Sequence, residues 1–428
     1  MKSQSPISGE TTSAEAAGTV SPRRALVLSG GGARGAYEAG VLRYLFEKFP
    51  DRLGRLPRID LFCGTSVGAI HACYMASAID QGKRSGQQLA EIWGRLRLSD
   101  MASLHSVEVL RIPWRLLGFA RTAVNLASSE RPDRLHGLLN TRALEDLVLR
   151  EIRWPAIGAN LKARRFDALC ISATQLASGR VVVFVENRER SAPPWTRDLR
   201  VIARPTRIRP VHALASAAIP VLFPAVLVED SYYVDGGLRL NTPLAPALRL
   251  GADRVLVIAL RKGVENHDAA QLEHVHAKVH ANPVFLYGKV LNALLLDHVE
   301  TDLAHMRVIN ALLESGEQSY GPDFLTRINT AVTAERGQGF RHIRELVIRP
   351  SEDLAVIADR ALRTGAGAGD LPRWMRLFLR SIGLRGGPLE ADLLSYLLFD
   401  RAYTSELVAL GYRDAQRCED ELLTFFSD

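Results

Sequence analysis

Cysteine is scarce in this chain of 428 residues, and its four cysteines are scattered. Cys63, Cys73, Cys170 and Cys418 form no C-x-x-C pair and show no metal-like spacing to histidine. This pattern excludes a disulfide scaffold and a zinc module, and it favours a reducing compartment.

Long uninterrupted apolar runs are also missing. The longest, residues 213–228, contains Pro220 and Pro224 and falls short of the roughly 18 residues that a membrane-spanning helix needs. Residues 1–22 are rich in Ser, Thr, Gly and Ala and lack the apolar segment of a signal peptide. We therefore predict a disordered tail over 1–22, no signal peptide, no transmembrane helix and a cytoplasmic location.

The charge balance is mildly basic, with 54 Lys and Arg against 47 Asp and Glu and a formal net charge of +7. This excess favours anionic partners such as nucleic acid or an acidic membrane surface, and it equally suits an ordinary soluble basic protein. Hydrophobic residues make up 47% of the chain, which is enough for one large core or two modest ones.

Short β-branched runs alternate with helix-like segments. The runs lie at residues 24–28, 59–63, 166–173, 180–185 and 254–260. This alternation predicts an α/β domain with a largely parallel sheet. The pattern also predicts a helical insertion over about 82–162, a surface loop over the Pro- and Arg-rich residues 186–210, and helices after the glycine-rich break at 364–370.

A glycine-rich loop follows the first run and leads into a helix pattern that continues to about Phe49. Glycines at a helix N-terminus leave backbone N–H groups unshielded, so the loop can bind a negative oxygen. Gly30, Gly32 and Gly35 match the dinucleotide pattern G-x-G-x-x-G. That pattern also requires an acidic residue about 20 positions later, at the end of a second strand. Asp51 stands near that position, but a Pro/Gly/Arg stretch follows it and it ends no predicted strand. The other candidate anion is the oxyanion of acyl transfer, and an ordinary tight turn is a third interpretation.

A serine stands between a short apolar strand and a small apolar helix at residues 59–72. Gly64, Ser66 and Gly68 form the G-x-S-x-G nucleophile elbow, in which the glycines permit the tight turn that exposes the serine hydroxyl. The strand-to-helix setting and the glycines upstream make the pentapeptide much more specific than it is alone. We predict that Ser66 is a nucleophile and that the glycine-rich loop binds an oxyanion.

A serine hydroxyl needs a neighbouring base, and one candidate ends another apolar run. Asp235 follows Tyr232-Tyr-Val and precedes Gly236 and Gly237, so its carboxylate can approach another backbone closely. An ordinary Asp-Gly turn explains these residues equally well in isolation.

Together these motifs resemble the patatin-like phospholipases. That family is marked by a G-G-G-x-R/K-G loop, a G-x-S-x-G elbow, an A-S-x-A-x-P-x-x-F-P segment and a D-G-G or D-G-A motif. The corresponding segments here are residues 30–35, 64–68, 215–224 and 235–237, with Asn241-x-Pro243 after the last. The resemblance extends from about Arg24 through the helical tail, where residues 396–400 and 410–415 are similar to bacterial members.

The resemblance implies a three-layer α/β fold with a mainly parallel central sheet flanked by helices. It implies a catalytic domain over 23–350 and a helical C-terminal region over 351–428. Ser66 and Asp235 would form a catalytic dyad, with the oxyanion hole at the N–H groups of Gly31 and Gly32 and a further donor at Ala33. Arg34 is a candidate charge stabiliser near the hole or a phosphate head group, and a helix-start arginine paired with a carboxylate is the alternative.

The implied substrates are phospholipids or other lipid esters, cleaved as by a phospholipase A or lysophospholipase, with no metal or cofactor. No nucleic-acid partner is expected, and the oligomeric state stays open. Peripheral contact with an anionic membrane is suggested by Arg373–Arg385, which has the composition of an interfacial helix, and more weakly by Arg111–Arg121. Core-packing helices with a basic solvent face are the alternative.

Two other functions compete with this one. The first is an α/β-hydrolase triad in the order Ser, Asp, His, and the second is a non-catalytic module that binds a nucleotide at the glycine-rich loop. Histidines that satisfy the triad order include His267, His274, His276, His280, His298 and His305. None of them lies in a distinctive loop motif, and we expect His71 and His212 to be packing residues.

Overall fold

The computed structural model describes residues 21–97, 141–192, 200–220, 222–263, 299–363 and 395–427. The predicted tail over 1–22 falls almost entirely outside these residues, and so do both arginine-rich segments that were candidates for membrane contact.

One mixed sheet joins the strands of the described residues. They are β1 (Arg24–Leu28), β2 (Leu61–Thr65), β3 (Ala168–Gln175), β4 (Val181–Asn187), β5 (Val201–Pro205), β6 (Val226–Val228), β7 (Ser231–Asp235), β8 (Arg254–Ile258) and β9 (Arg344–Ile348). The order along the sheet is β5-β4-β3-β2-β1-β8-β9, while β7 pairs with β3 and β6. The run from β3 through β2, β1 and β8 to β9 is parallel, whereas β4 and β7 are antiparallel to β3.

Helices cover both faces of the sheet. They are α1 (Gly35–Glu47), α2 (Phe49–Leu53), α3 (Val67–Ala78) and α4 (Arg84–Arg95), followed by Arg142–Glu151, Trp154–Lys162, Pro210–Ser216, Leu244–Arg249, Val299–Tyr320, Phe324–Arg336, Leu354–Arg363, Arg401–Arg417 and Glu419–Phe426. Successive side chains of β1 enter two separate cores, because side chains of a strand alternate between its faces. Leu26 and Leu28 pack with α1 and α3, whereas Ala25 and Val27 pack with Leu303 on the other face. The three-layer α/β prediction is therefore confirmed.

The surface loop predicted over 186–210 is wrong in part, because residues 201–205 form the edge strand β5, parallel to β4. An edge strand tolerates proline, which here stands at its last residue, Pro205. The charge of the arginines is also typical of a loop. The guanidinium of Arg204 on β5 instead has polar partners, since it donates 3.1 Å to the hydroxyl of Tyr233 and pairs with Glu229 at 3.2 Å.

The C-terminal helices pack directly on the elements that carry the motifs. Helix Arg401–Arg417 crosses α1 where a glycine on each helix faces the backbone of the other helix. A Cβ at Gly40 would clash with the carbonyl oxygen of Val408, and one at Gly411 would clash with that of Tyr37. Such close contact explains why both positions lack a side chain. The predicted helical region is interrupted at residues 398–400, which separate this helix from a short helical segment at 395–397.

The predicted insertion over 82–162 is helical where it is described, at α4, Arg142–Glu151 and Trp154–Lys162. None of the described helices is both long enough and apolar enough to cross a membrane.

Candidate active site

Ser66 stands at a sharp turn between β2 and α3. Its backbone has φ 56° and ψ −124°, a conformation that non-glycine residues rarely adopt and that costs on the order of 1–3 kcal/mol. The flanking glycines allow this turn: a Cβ at Gly64 would clash with the backbone of Gly68, and one at Gly68 would clash with the carbonyl of Leu28. The strand-to-helix elbow expected from the sequence is therefore present.

The side chain of Ser66 donates a hydrogen bond to Asp235, with 2.6 Å between Oγ and Oδ2. Its backbone N–H donates 2.9 Å to the hydroxyl of Ser216, which in turn donates 2.6 Å to the carbonyl of Ser172 on β3. Ser216 thus uses its oxygen as an acceptor and its proton as a donor. The turn at Ser66 is held by the same segment that carries the family motif at 215–224.

Asp235 ends β7, where it pairs with Ala173 of β3. Its Oδ1 accepts a hydrogen bond of 2.7 Å from the backbone N–H of Gly237, and its own N–H donates to the carbonyl of Ala218. The side chain is almost fully buried. Burial raises the pKa of Asp235 from its ordinary 3.8 to about 6, although the hydrogen bonds from Ser66 and Gly237 act in the opposite direction.

The glycine-rich loop runs from the end of β1 through a single 3-10 turn, Gly32–Arg34, into α1. A Cβ at Gly30 would lie 3.1 Å from the Cβ of Ser66, so the loop and Ser66 are adjacent. Among the described residues, the N–H groups of Gly31 and Gly32 donate to no backbone carbonyl. Gly32 has φ +55°, and a side chain there would meet the carbonyl of Tyr396.

The loop is also joined to the segment that follows Asp235. The N–H of Gly30 donates 3.1 Å to the carbonyl of Asn241, and the side-chain amide of Asn241 donates 3.2 Å back to the carbonyl of Gly30. This pair explains the Asn241-x-Pro243 pattern, and it brings Asp235, Ser66 and the loop into one cluster.

Arg34 contacts the C-terminal region in the part of the chain that the structure describes. Its Nε donates 2.7 Å to the hydroxyl of Ser395, and Nη1 donates 3.2 Å to the hydroxyl of Tyr396. The guanidinium lies 4.0 Å from the centre of the Tyr396 ring, a cation–π distance. Arg34 therefore joins the loop to the C-terminal region, and its role as a charge stabiliser stays a prediction.

None of the described histidines hydrogen-bonds to Ser66 or Asp235. His71 is buried between Glu38 and Trp93, and the Nδ1 of His212 accepts from the N–H of Arg209. His305 on helix Val299–Tyr320 is exposed, and so is His342, which contacts Glu317 of the same helix. The triad candidates His267, His274, His276, His280 and His298 lie outside the described residues. Within those residues, no group of three or more His, Cys, Asp or Glu could hold a metal ion.

Comparison with known proteins agrees with the family resemblance of the sequence motifs. A family model described as patatin-like phospholipase matches residues 26–248. The cGAMP-activated phospholipase of Pseudomonas aeruginosa is 30% identical over 223 residues, which are 51% of this chain and 53% of that protein. The chain thus spans about half the length of this curated relative.

Two solved structures are similar at lower sequence identity. Human GIVD cytosolic phospholipase A2, in complex with methyl gamma-linolenyl fluorophosphonate, has 14% identity and a TM-score of 0.40, covering 95% of this chain and 58% of its own. VipD from Legionella pneumophila has 11% identity and a TM-score of 0.27, covering 90% of this chain and 91% of its own.

Proposed function

The chain belongs to the patatin-like phospholipase family, whose model matches just over half of it, and on this premise we propose that it hydrolyses carboxylic esters of lipids. The proposal rests on the contact of 2.6 Å between Ser66 Oγ and Asp235 Oδ2 at the elbow. A hydroxyl and a buried carboxylate at this distance are the minimum needed to generate a serine nucleophile.

In the first step, Ser66 Oγ attacks the ester carbonyl while its proton passes to Asp235. Burial supports this transfer, because a carboxylate with a pKa of about 6 is a stronger base than an ordinary aspartate. The carbonyl oxygen becomes negative, and the N–H groups of Gly31 and Gly32 are the proposed donors that stabilise it, with Ala33 as a further donor. The tetrahedral intermediate then expels the alcohol, which takes the proton from Asp235.

In the second step, water attacks the acyl-enzyme and Asp235 receives a proton from the water. Collapse of the second tetrahedral intermediate releases the fatty acid, and the proton returns from Asp235 to Ser66 Oγ. Asp235 serves both steps, so no histidine is required. The hydrogen bond from Gly237 and the packing of β7 against β3 keep the carboxylate in place throughout.

We propose phospholipids as the substrate class, with phospholipase A or lysophospholipase activity, and peripheral contact with anionic membranes as the route to them. Family membership and the similarity to a phospholipase over 51% of the chain support this choice. The non-catalytic nucleotide-binding alternative is disfavoured by the position of the glycine-rich loop directly beside Ser66.

The test compares the wild type with Ser66→Ala on vesicles of mixed zwitterionic and anionic phospholipids, with fatty acids and lysolipids measured by mass spectrometry. We expect release by the wild type and a loss of at least about 1000-fold in the variant, because no other group replaces the nucleophile. A fluorophosphonate probe should label the wild type at Ser66.

Ser178→Ala is the matched control, because Ser178 is exposed on the turn between β3 and β4 and should leave release unchanged. Equal release by Ser66→Ala, or labelling of the wild type at another residue, would contradict the proposed nucleophile.

A further inference from the structure

A chain of buried polar side chains lies beside the dyad and takes no part in the proposed chemistry. It joins three helices: Glu38 is in the first turn of α1, His71 is on α3, and Trp93 is on α4. Glu38 and His71 are at most 1% exposed and Trp93 is 4% exposed. Burying an ionisable pair is costly unless every donor and acceptor is matched, so the arrangement needs an explanation.

The hydrogen bonds fix the tautomer of His71. Trp93 Nε1 lies 2.8 Å from His71 Nε2, and an indole N–H can only donate. His71 Nε2 must therefore be the acceptor, and Nδ1 carries the proton. Burial lowers the pKa of His71 to about 3, which keeps the ring neutral. His71 Nδ1 consequently donates to Glu38 Oε2 over 2.7 Å.

The other oxygen of Glu38 holds the start of the glycine-rich loop. Glu38 Oε1 accepts a hydrogen bond of 2.8 Å from the backbone N–H of Ser29, the residue immediately before Gly30. The hydroxyl of Ser29 is also held, at 3.0 Å from the carbonyl of Ile258 and 2.7 Å from the hydroxyl of Thr242. Both oxygens of Glu38 thus act as acceptors, one toward the loop and one toward the nucleophile helix.

This connection has a mechanical consequence. Ser66 is the N-cap of α3, five residues before His71 in the sequence, and Gly30 to Gly32 follow Ser29 directly. The loop and the helix also touch without polar groups, since a Cβ at Gly35 would lie against Val67. Apolar contact alone is non-directional, whereas a hydrogen-bonded chain sets both distance and orientation.

We propose that Glu38 and His71 are positioning residues that hold the glycine-rich loop at the correct distance from Ser66, with Trp93 selecting the tautomer that makes the connection possible. The inference rests on the proposed function, because the held distance is that between the nucleophile and its oxyanion donors. Such donors act only when already aimed at the developing charge.

Glu38→Gln tests the connection with almost no change in shape. The amide of the glutamine can be placed in two orientations. In one its NH2 group faces the backbone N–H of Ser29, and in the other it faces the Nδ1–H of His71, so one donor opposes another in both cases. We expect kcat for a p-nitrophenyl ester to fall about 10- to 100-fold, with KM within about twofold, because the loss affects the transition state rather than substrate binding.

Trp93→Phe supplies the decisive comparison. Without the indole donor, His71 is free to carry its proton on Nε2 and to accept at Nδ1 from the amide that Glu38→Gln introduces. The loss of kcat caused by Glu38→Gln should therefore be at least about fivefold smaller in the Trp93→Phe background than in the wild type. A merely space-filling role for Trp93 predicts independent effects or a larger combined loss.

Glu186→Gln is the matched control, because Glu186 is another buried carboxylate that accepts a backbone N–H, from Ile208 at 2.7 Å, and it lies outside this chain of contacts. Its kcat should stay within about twofold of the wild type. A measurement independent of variant folding is the ¹⁵N spectrum of labelled histidine in the wild type, which should show His71 with its proton on Nδ1.

The outcomes separate the two proposals. A wild type that neither hydrolyses the ester nor reacts with a fluorophosphonate contradicts the proposed function. An active wild type whose Glu38→Gln variant keeps full kcat, or whose His71 carries its proton on Nε2, overturns the positioning role alone.

Discussion

Two buried carboxyl groups are connected to the turn at Ser66, Asp235 by a direct hydrogen bond and Glu38 through His71 on the same helix. Asp235 and Glu38 are each nearly inaccessible, each accepts one backbone N–H, and each accepts one side-chain hydrogen bond. Burial raises the pKa of both, to about 6 for Asp235 and well above the ordinary value for Glu38. The difference is the side-chain partner, a serine hydroxyl in one case and an imidazole N–H in the other.

That difference separates a chemical role from a positional one. A hydroxyl can donate or accept, so the bond between Ser66 and Asp235 can reverse, and its proton can leave with little rearrangement. The N–H of His71 is fixed because Trp93 occupies the other ring nitrogen. The same carboxyl group is therefore suited to proton transfer beside Ser66 and to rigid support beside His71.

Replacing each carboxyl by its amide should show the largest contrast in activity. Asp235→Asn removes the only base that contacts Ser66 in the described residues, and we expect kcat/KM to fall by at least about 1000-fold. Glu38→Gln, which leaves the dyad intact, should lose far less. Steady-state hydrolysis of a p-nitrophenyl ester measures both, and similar losses in the two variants would remove the distinction.

Stability should also differ between the same two variants. At pH 8, Asp235 is ionised in both the folded and the unfolded chain, so its raised pKa reduces the free energy of unfolding by up to about 3 kcal/mol. Asp235→Asn removes this cost and keeps both contacts, because the amide oxygen accepts from Gly237 and the amide NH2 donates to Ser66. Burial raises the pKa of Glu38 as well, so Glu38→Gln also removes a cost of burying charge. Its NH2 meets an N–H, however, which costs about 1–3 kcal/mol and offsets that gain.

Urea unfolding at pH 8 should therefore show Asp235→Asn above both the wild type and Glu38→Gln in free energy of unfolding. The advantage of Asp235→Asn should shrink as the pH falls from about 6 to 3.8 and vanish below that range, where the wild-type carboxyl is protonated in both states. Equal stabilisation of the two variants would mean that the partner of the carboxyl does not matter.

The sequence predicted the parts of the site that depend on local backbone geometry. Gly64 and Gly68 permit one turn, and Gly30 to Gly35 form one loop, so short patterns identify them. The pairing of Ser66 with Asp235 came from family resemblance instead, because the two residues are 169 positions apart and an Asp-Gly pair alone is equally an ordinary turn.

The supporting contacts could not be predicted in this way. Glu38, His71 and Trp93 lie on three different helices, and only the packing of those helices brings them together. The contacts of Arg34 could not be predicted from the sequence either. Its motif suggested a role at the oxyanion. Its described partners Ser395 and Tyr396 lie more than 350 residues later in the chain. Side-chain partners across such separations leave no periodic signal along the chain.

The pH dependence of activity gives the smallest but most specific contrast between the two carboxyl groups. In the proposed mechanism Asp235 must be ionised to accept the Ser66 proton, and burial raises its pKa from 3.8 to about 6. We expect kcat/KM to be level above pH 7 and to fall about tenfold for each pH unit below 6. Glu38→Gln should lower the whole profile without moving this limb, because Glu38 transfers no proton in the reaction.

Initial rates between pH 4.5 and 9 measure both profiles. A limb that stays near pH 4 in the wild type would show that burial does not tune the base, and a limb displaced by Glu38→Gln would show that the two carboxyl groups titrate together.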